Sequence, residues 1–372
     1  MIKETPSLFV PSPSTSQEHS VESFLNRHAQ EFVFYGAGKA ALRDGLAGLT
    51  EPGETVLVPA YLPDAVVEPL YDLELETEYY ALEPSLAPDF VDLERRLDDD
   101  VVAVMSVNYF GFPQPGLDEF RSIVADYECY HVDDNAHAPL SVDDGTVLGT
   151  RGHLGITSLW KLFPVPDGAI LYLNDEQAVE AYEPSSSAGV RDGFDGSDCR
   201  YLLKSVFRDV FDRNGAIRRS IDAVLASRND GLSVGSPRER YEKGKQPMSK
   251  LSAYVVEKSD PRAIRQARRE NYLTWQRALE SRDDLEFVFE SLPEGICPQV
   301  APVRAADHGQ FRAELDRCGV GGAKSWPRLS PRVRENPTYE TATRLAREIV
   351  TLPVHHHIEP SAIRDVGTQL RR

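Results

Sequence analysis

Two segments of the sequence carry residues suited to chemistry on a carbonyl group. The run HVDDNAH at residues 131–137 ends an apolar stretch with Asp133 and Asp134, and Lys161 follows 27 residues after Asp134 in the run SLWKLF. Apolar neighbours disfavour the ammonium form of a lysine, lower its pKa and yield a free amine that attacks a carbonyl carbon. A lysine and a strand-end aspartate are the pair that pyridoxal phosphate requires, one to hold the cofactor as a Schiff base and one to keep its ring nitrogen protonated. We therefore expect Lys161 and Asp134 to be catalytic residues of one site.

Short apolar runs alternate with helical patterns through the first 175 residues. The sequence predicts strands in EFVFY, TVLVPA, ETEYYAL, VVAVMSVNYF, YECYHVDD, HLGITSLW and AILYLN, with helices between several of them. This alternation predicts an α/β fold whose mostly parallel central sheet carries helices on both faces. Open α/β sheets bind ligands at the carboxyl ends of their strands, and Asp134 ends one of these runs.

The chain is long enough for two domains, because 372 residues exceed the roughly 250 to 300 at which a single core stops growing. We predict an N-terminal leader over residues 1–25, a large cofactor-binding domain over 26–240 and a small C-terminal α+β domain over 241–372. A helical pattern over residues 200–228 precedes the small domain, and the basic stretch YEKGKQPMSK opens it. It continues with a long helical pattern interrupted at Pro261, short strands and the loop GGAKSWPRLSP.

The charge balance argues against nucleic acid as a partner. Acidic residues number 59 against 41 basic ones, which gives a formal net charge of −18 and repels a phosphate backbone. Only nine of the basic residues are lysines. A lysine-poor acidic surface is typical of halophilic proteins, where salt screens self-repulsion, but an ordinary acidic cytoplasmic protein is an alternative.

Neither a metal site nor a membrane segment is predicted. The four cysteines lie far apart with no C-x-x-C pair, so neither a zinc site nor a disulfide framework is indicated. The run HHH at residues 355–357 would need further ligands to hold a metal, and we expect it to be solvated. The sequence has no run of 18 apolar residues and no signal-peptide pattern, which favours a soluble cytoplasmic protein without a membrane partner.

Several spaced segments resemble, in order, those of the DegT/DnrJ/EryC1/StrS-type sugar aminotransferases, a branch of the fold type I pyridoxal phosphate enzymes. The matching segments are YGAGKAAL, PGETVLVPAY, VNYFGFP, HVDDNAHA and SLWKLFPVPDGAIL, which together cover most of residues 30–175. Ordered agreement of several segments is more specific than any one of them. The resemblance implies the fold type I architecture and pyridoxal 5'-phosphate as the cofactor.

The resemblance also implies roles for individual residues around the cofactor ring. Asp134 would pair with the pyridine nitrogen, and Lys161 would form the internal aldimine. His137, three residues after Asp134, would sit against the phenolic oxygen. Many aminotransferases of the family carry glutamine at this position, whereas some members that remove a hydroxyl group carry histidine. Tyr61 follows the PAY-like strand, where the family usually places an aromatic residue over the ring.

The phosphate of the cofactor is expected at the helix that begins with Gly38 and Lys39. The free N–H groups of such a helix start, its dipole and the lysine charge all favour an anion. Ser158, three residues before Lys161, is expected to donate its hydroxyl to the same phosphate. Lys245 stands where the family has an asparagine that reaches the phosphate of the neighbouring subunit, so we expect this lysine to enter the site of a partner.

These motifs together predict an aminotransferase that moves an amino group from an amino acid such as glutamate to a nucleotide-linked keto sugar. Enzymes of this kind build each active site across a dimer, so we expect a homodimer. Trp326 is interpreted as packing the small domain, and Arg328 and Arg332 on the same loop as candidates for a substrate carboxylate or phosphate.

Two alternatives stay open. His137 and the PVPDGA loop are compatible with a pyridoxal phosphate-dependent dehydratase or another reaction without amino transfer. The second alternative is a non-catalytic descendant that uses the fold for binding or regulation. Retention of both Lys161 and Asp134 speaks against it. Taken singly, the residues also have ordinary structural explanations; an Asp-Asp pair, for example, caps turns.

Overall fold

The computed structural model of the protein describes residues 1–10, 20–212 and 236–371. Its strands are β1 Glu31–Tyr35, β2 Thr55–Pro59, β3 Glu76–Tyr80, β4 Val101–Val107, β5 Tyr130–Asp134, β6 Val142–Asp143, β7 Thr146–Val147, β8 Leu154–Ser158, β9 Ala169–Leu173, β10 Leu285–Phe287, β11 Val300–Ala305, β12 Lys324–Ser325 and β13 Ile349–Pro353. Its α-helices are α1 Val21–His28, α2 Gly38–Ala47, α3 Glu68–Asp72, α4 Phe90–Arg96, α5 Leu117–Asp126, α6 Glu176–Ala181, α7 Gly196–Asp212, α8 Pro237–Gly244, α9 Lys250–Glu257, α10 Pro261–Leu279, α11 His308–Arg317, α12 Pro331–Arg334, α13 Glu340–Glu348 and α14 Pro360–Leu370. Short 3-10 helices lie at Asp64–Val67, Tyr109–Gly111, Leu159–Lys161 and Pro337–Tyr339.

Seven strands form the central sheet in the order β1-β9-β8-β5-β4-β2-β3. Neighbours from β8 to β3 pair in parallel, whereas β9 runs antiparallel to both β8 and β1. The predicted α/β fold with a mostly parallel sheet is therefore confirmed. The strands coincide with the seven predicted apolar runs, because a strand covered on both faces needs near-continuous apolar residues. Every residue of β8 and of β9 is buried.

Several helices around this sheet begin at a side chain that accepts a hydrogen bond from one of their free N–H groups, whereas helix α2 at the site does not. Ser20 accepts a hydrogen bond from the Ser23 N–H at the start of α1, and Asp89 accepts one from the Asp92 N–H at the start of α4. Helix α2 directly follows β1 and packs on β8 and β9. No side chain in the described part of the chain caps α2.

A second, antiparallel sheet is built from the C-terminal part of the chain in the order β10-β11-β13-β12. Helices α10 and α14 pack against each other beside it. The Gln299 N–H donates to the Phe110 carbonyl at 2.8 Å, which joins the loop before β11 to the turn after β4. The strands of the two sheets occupy residues 31–173 and 285–353, and the predicted domain division near residue 240 stays a prediction.

The solvated interpretation of the histidine run is wrong for His355, because the first residues of the chain cover it. His355 is buried, and its Nε2 donates to the Lys3 carbonyl at 3.1 Å. The Nδ1 of His357 accepts the Ser7 N–H at 3.1 Å. The beginning of the predicted leader therefore packs against the C-terminal part of the chain, and helix α1 starts inside the leader's bounds.

Parts of two predictions lie outside the described residues: 11–19 of the leader, and 213–228 of the helical pattern whose described part is α7. In the described ranges, no helix is long and apolar enough to cross a membrane. The same ranges contain no group of three or more His, Cys, Asp or Glu side chains arranged to hold a metal ion. All four cysteines are free thiols.

Candidate active site

A cavity of about 380 Å³ lies at the carboxyl ends of β5 and β8, beside the start of α2. Several separate stretches of the sequence meet in its lining. They bring together six of the eight predicted site residues: Gly38, Lys39, Asp134, His137, Ser158 and Lys161. Tyr61 and Lys245 do not belong to the lining.

Asp134 ends β5 and points a buried carboxyl group into this cavity. Its Oδ1 accepts the Ala136 N–H at 2.8 Å. Burial raises the pKa of Asp134, and the nearby Lys161 lowers it. Asp133 lies on the opposite face of the strand, where it accepts hydrogen bonds from Asn108 Nδ2 at 2.7 Å and from the Gly149 N–H at 2.9 Å. Asp134 therefore faces the cavity, whereas Asp133 holds the end of β5 in place through hydrogen bonds to Asn108 and Gly149.

Lys161 is the last residue of the short 3-10 helix Leu159–Lys161, which follows β8 directly. The Leu159 N–H donates to the Gly168 carbonyl at 2.9 Å, and the Gly168 N–H donates to the Gly36 carbonyl at 2.8 Å. Gly168 has a φ of 117°, a conformation that a side chain would strain. Burial lowers the pKa of Lys161 to about 8, and Asp134 acts in the opposite direction. At pH 8 about half of this amine is neutral and able to attack a carbonyl.

His137 is buried against aromatic rings and held in one tautomer. Its ring stacks on Phe110 at 5.9 Å and meets Trp326 edge-on at 4.9 Å between ring centroids. Its Nδ1 accepts the Phe110 N–H at 3.1 Å, in a turn where Phe110 has a φ of 59°. Burial lowers the pKa of His137 well below its usual value, and Lys161 lowers it further. A neutral ring whose Nδ1 accepts carries its proton on Nε2, so His137 offers a hydrogen-bond donor.

The start of α2 forms an end of the cavity that suits an anion. Because no side chain of the described residues caps this helix at Ala37, its first N–H groups are available to a ligand. Ser158 approaches from β8, so closely that a Cβ on Gly38 would lie 3.1 Å from Ser158 Oγ. Lys39 adds a positive charge, although burial lowers its pKa.

Trp326, and not Tyr61, reaches the cavity. The Tyr61 side chain is fully buried, and its hydroxyl donates to the backbone carbonyl of Trp326. The two rings lie 5.2 Å apart, with Trp326 on the cavity side together with Leu62 and Pro63. The sequence motif identified the right loop after β2. It carried no signal that a tryptophan from the segment after β12 would cover Tyr61.

Lys245 lies just outside the cavity, after the end of α8. Its Nζ is 2.8 Å from Asp72 Oδ2 and 4.5 Å from the centre of the Tyr241 ring. The preceding helix does reach the cavity, through Arg240, Tyr241 and Gly244. The expected role of Lys245 in the site of a partner stays a prediction. The residues of α8 were missed because nothing in their spacing distinguishes them from an ordinary polar helix.

Comparison with known proteins agrees with this geometry. Residues 19–201 match the model of the DegT/DnrJ/EryC1/StrS aminotransferase family. Similar solved structures include the sugar aminotransferase CalS13 from Micromonospora echinospora, with 16% identity, coverage of 100% of this chain and 99% of that chain, and a TM-score of 0.70. DesV from S. venezuelae, solved in complex with a ketimine intermediate, has 16% identity, coverage of 98% and 90%, and a TM-score of 0.67. An E. coli GDP-4-keto-6-deoxy-D-mannose-3-dehydratase with bound hydrated PLP has 13% identity, coverage of 100% and 99%, and a TM-score of 0.65.

At these identities the likeness to solved structures shows the fold alone, which is that of the fold type I pyridoxal phosphate enzymes. No curated protein sequence is significantly similar to this chain. This match assigns residues 19–201 of the chain to the DegT/DnrJ/EryC1/StrS aminotransferase family. The predicted family, enzyme class and cofactor are thereby confirmed.

Proposed function

We propose that this protein transfers an amino group from an amino acid such as glutamate to a nucleotide-linked keto sugar. The observation that carries the proposal is that Lys161 and Asp134 line a single cavity. The amine and the carboxylate needed at the two ends of a pyridoxal ring are thus available to one ligand. The similarity to the sugar aminotransferase CalS13 supports a keto sugar as the acceptor.

The residues of the cavity fit pyridoxal phosphate. The uncapped start of α2 and the Lys39 charge suit the phosphate group. The buried carboxyl group of Asp134 suits the ring nitrogen, and Lys161 supplies the amine. Apolar side chains, Leu62 and Trp326 among them, line the walls and suit an aromatic ring.

When bound, pyridoxal phosphate supplies an aldehyde that takes up the amino group and a ring that accepts the electron pair left at the substrate carbon. Lys161 would hold the cofactor through Nζ. After the amino acid has displaced it, its neutral amine would move a proton from the amino-acid carbon to the cofactor and, in the second half of the reaction, from the cofactor to the sugar carbon. A pKa of about 8 lies close to neutral pH, which suits proton transfer in both directions. The Asp134 carboxylate would accept a hydrogen bond from the ring nitrogen, and His137 Nε2 would donate one to the phenolic oxygen.

A second candidate is removal of a hydroxyl group from the same class of sugar. The histidine at position 137 and the similarity to the E. coli dehydratase favour it. However, the Nδ1 of His137 is occupied by the Phe110 N–H, and burial keeps the ring neutral. These contacts support a donor role for His137 and leave Lys161 as the proton carrier, as transamination needs. Product analysis separates the two reactions, because one yields an amino sugar and the other a deoxy sugar.

We further propose that the protein works as a homodimer in the cytoplasm. Trp160 is 53% exposed although it lines the cavity, and Phe194 is 61% exposed. Large apolar side chains exposed to this extent favour cover by a second copy. The four free thiols support a reducing compartment. Mass determination in solution at high salt tests the dimer, and a monomer with full activity would refute it.

An absorption spectrum of the purified protein, titrated with amino acids, tests the proposed function. We expect a visible band that disappears when glutamate is added and that the Lys161→Ala variant lacks. Lys243→Ala is a matched control, because Lys243 is an exposed lysine outside the cavity. A band that donors leave unchanged would contradict transamination. A protein that binds no pyridoxal phosphate would support the non-catalytic alternative.

A further inference from the structure

Arg268 is a buried cation in the middle of helix α10. Its side chain is 1% exposed, and burial lowers its pKa to about 10. Its hydrogen-bond partners in the described part of the chain are backbone carbonyls, and no carboxylate there forms an ion pair with it. Burying a guanidinium group without an opposite charge costs free energy, which hydrogen bonds to carbonyl oxygens offset only in part. The packing of α10 alone would be served better by an apolar side chain of similar size.

One terminal nitrogen of Arg268 binds the segment that carries Lys161. Its Nη2 donates to the Leu162 carbonyl at 3.0 Å. Leu162 directly follows Lys161 and is buried, and its N–H donates to the Leu159 carbonyl at 3.0 Å. The 3-10 helix of Lys161 is thus held at its first residue by the bond from Leu159 to Gly168, and just after its last residue by Arg268.

The other terminal nitrogen of this guanidinium group binds the segment that contacts the turn after β4. Nη1 donates to the carbonyls of Pro298 at 3.2 Å and Gln299 at 3.0 Å. The Gln299 N–H donates to the Phe110 carbonyl at 2.8 Å, and the Phe110 N–H donates to His137 Nδ1 at 3.1 Å. The guanidinium group therefore joins the backbone next to Lys161 to the segment that holds the turn beside His137.

Asn271, one turn further along α10, forms comparable hydrogen bonds away from the site. It is also 1% exposed, and its Nδ2 donates to the carbonyls of Val354, His355 and Ile358 at 3.4, 3.1 and 3.0 Å. All three carbonyls belong to one segment, which follows β13. A neutral amide therefore suffices to bind α10 to a single neighbouring segment, whereas the planar fork of Arg268 reaches two segments at once.

We infer that Arg268 is the positioning residue for Lys161, and that its bond to the Leu162 carbonyl keeps the lysine amine inside the cavity beside Asp134. This inference rests on the proposed function, in which Lys161 supplies the reactive amine. Burial is the main cause of the lowered pKa of Lys161, while Asp134 and His137 are the titratable groups that interact with it. A lysine segment released from Arg268 would admit water to the amine, and the pKa of Lys161 would rise toward its usual value.

The test measures the pKa of the Lys161 amine in the full-length, cofactor-free protein. Trace acetic anhydride is applied across a range of pH, and mass spectrometry follows acetylation of the peptide that contains Lys161. The decisive variant is Arg268→Lys, because it keeps the positive charge but has one terminal nitrogen, which cannot bind both segments. Arg268→Met removes the charge and both contacts. Asn271→Leu is the matched control, because it removes three hydrogen bonds from the same helix away from the site.

Both Arg268 variants are expected to raise the pKa of Lys161 by about one unit. A rise of this size lowers the neutral fraction of the amine, and hence its acetylation rate at pH 7, roughly tenfold. Asn271→Leu should leave the pKa and the rate unchanged. Urea denaturation is measured in parallel, and we expect Arg268→Met and Asn271→Leu both to lower the urea midpoint. A loss of stability by itself then does not account for the change at Lys161.

The inference is overturned if Arg268→Lys leaves the pKa of Lys161 at the wild-type value. A rise in Arg268→Met alone has this meaning too, because the lost charge and not the lost contact would be its cause. An equal rise in Asn271→Leu would also overturn the inference, since general loosening of α10 would then be responsible. Failure of the proposed function has a different signature: the wild-type protein would form no visible band with pyridoxal phosphate. Acetylation of Lys161 needs no cofactor, so it still reports whether Arg268 positions the amine.

Discussion

Replacing Lys161 by methionine is expected to stabilise the cofactor-free protein at neutral pH. Burial lowers the pKa of Lys161 from 10.5 to about 8, so folding places an ammonium group where it is disfavoured. Each pKa unit corresponds to about 1.4 kcal/mol, and the resulting cost at pH 7 is about 3 kcal/mol. Methionine has a similar length and no charge. Because Asp134 loses its positive neighbour in the variant, part of the gain is offset, and we expect the free energy of unfolding to rise by about 1 to 3 kcal/mol.

The gain in the free energy of unfolding of Lys161→Met depends on pH. The pKa of Lys161 is lower in the folded protein than in the unfolded chain, so the unfolded chain binds more protons between the two values. The stability of the wild type therefore rises with pH across the window from about 8 to about 10.5. The advantage of the methionine variant is complete below this window and disappears above it.

Urea denaturation of the cofactor-free proteins at pH 7, 8.5 and 10 measures both the gain and its pH dependence. Lys243→Met serves as the control, because Lys243 is exposed, and it should stay within about 0.5 kcal/mol of the wild type at each pH. The reasoning is refuted if Lys161→Met is less stable than the wild type at pH 7. A gain of equal size at pH 7 and pH 10 would refute it as well, because the lysine charge would then not be its cause.

Three further predictions concern the surroundings of the site. Asp133→Asn should lower the free energy of unfolding by about 2 to 4 kcal/mol, because the carboxylate accepts from Asn108 and from the Gly149 and Arg151 N–H groups; an unchanged urea midpoint would contradict this. Tyr61→Phe should cost about 1 kcal/mol and leave the cofactor spectrum unaltered, because the Tyr61 hydroxyl bonds to the Trp326 carbonyl behind the cavity wall; a shifted band would place Tyr61 on the ring. Added KCl should raise the melting temperature, because salt screens repulsion within a chain of net charge −18; a melting temperature that stays constant from low to molar salt would argue against a halophilic surface.

Local sequence pattern accounts for the strands of the central sheet and for the centre of the site. The apolar runs predicted the strands correctly because burial on both faces demands near-continuous apolar residues, whichever strands become neighbours. Asp134 and Lys161 were predictable because each follows such a run, and parallel strands bring their carboxyl ends to one edge of the sheet. The order of the strands and the antiparallel direction of β9 were not predictable from the runs. They depend on pairings between residues far apart in the chain.

The sequence by itself determined the strands of the central sheet, the Lys161 and Asp134 pair and, through the spaced motifs, the family and its cofactor. Only the tertiary structure decided which other side chains surround that pair. Trp326 and Arg240 lie 165 and 79 residues beyond Lys161, yet both line its cavity, while Tyr61 is turned behind Trp326. These contacts arise because the segment after β12 and helix α8, which packs on α2 and α3, both reach this cavity. Packing between distant segments follows from shape and charge in three dimensions, and it leaves no periodic pattern in the local sequence.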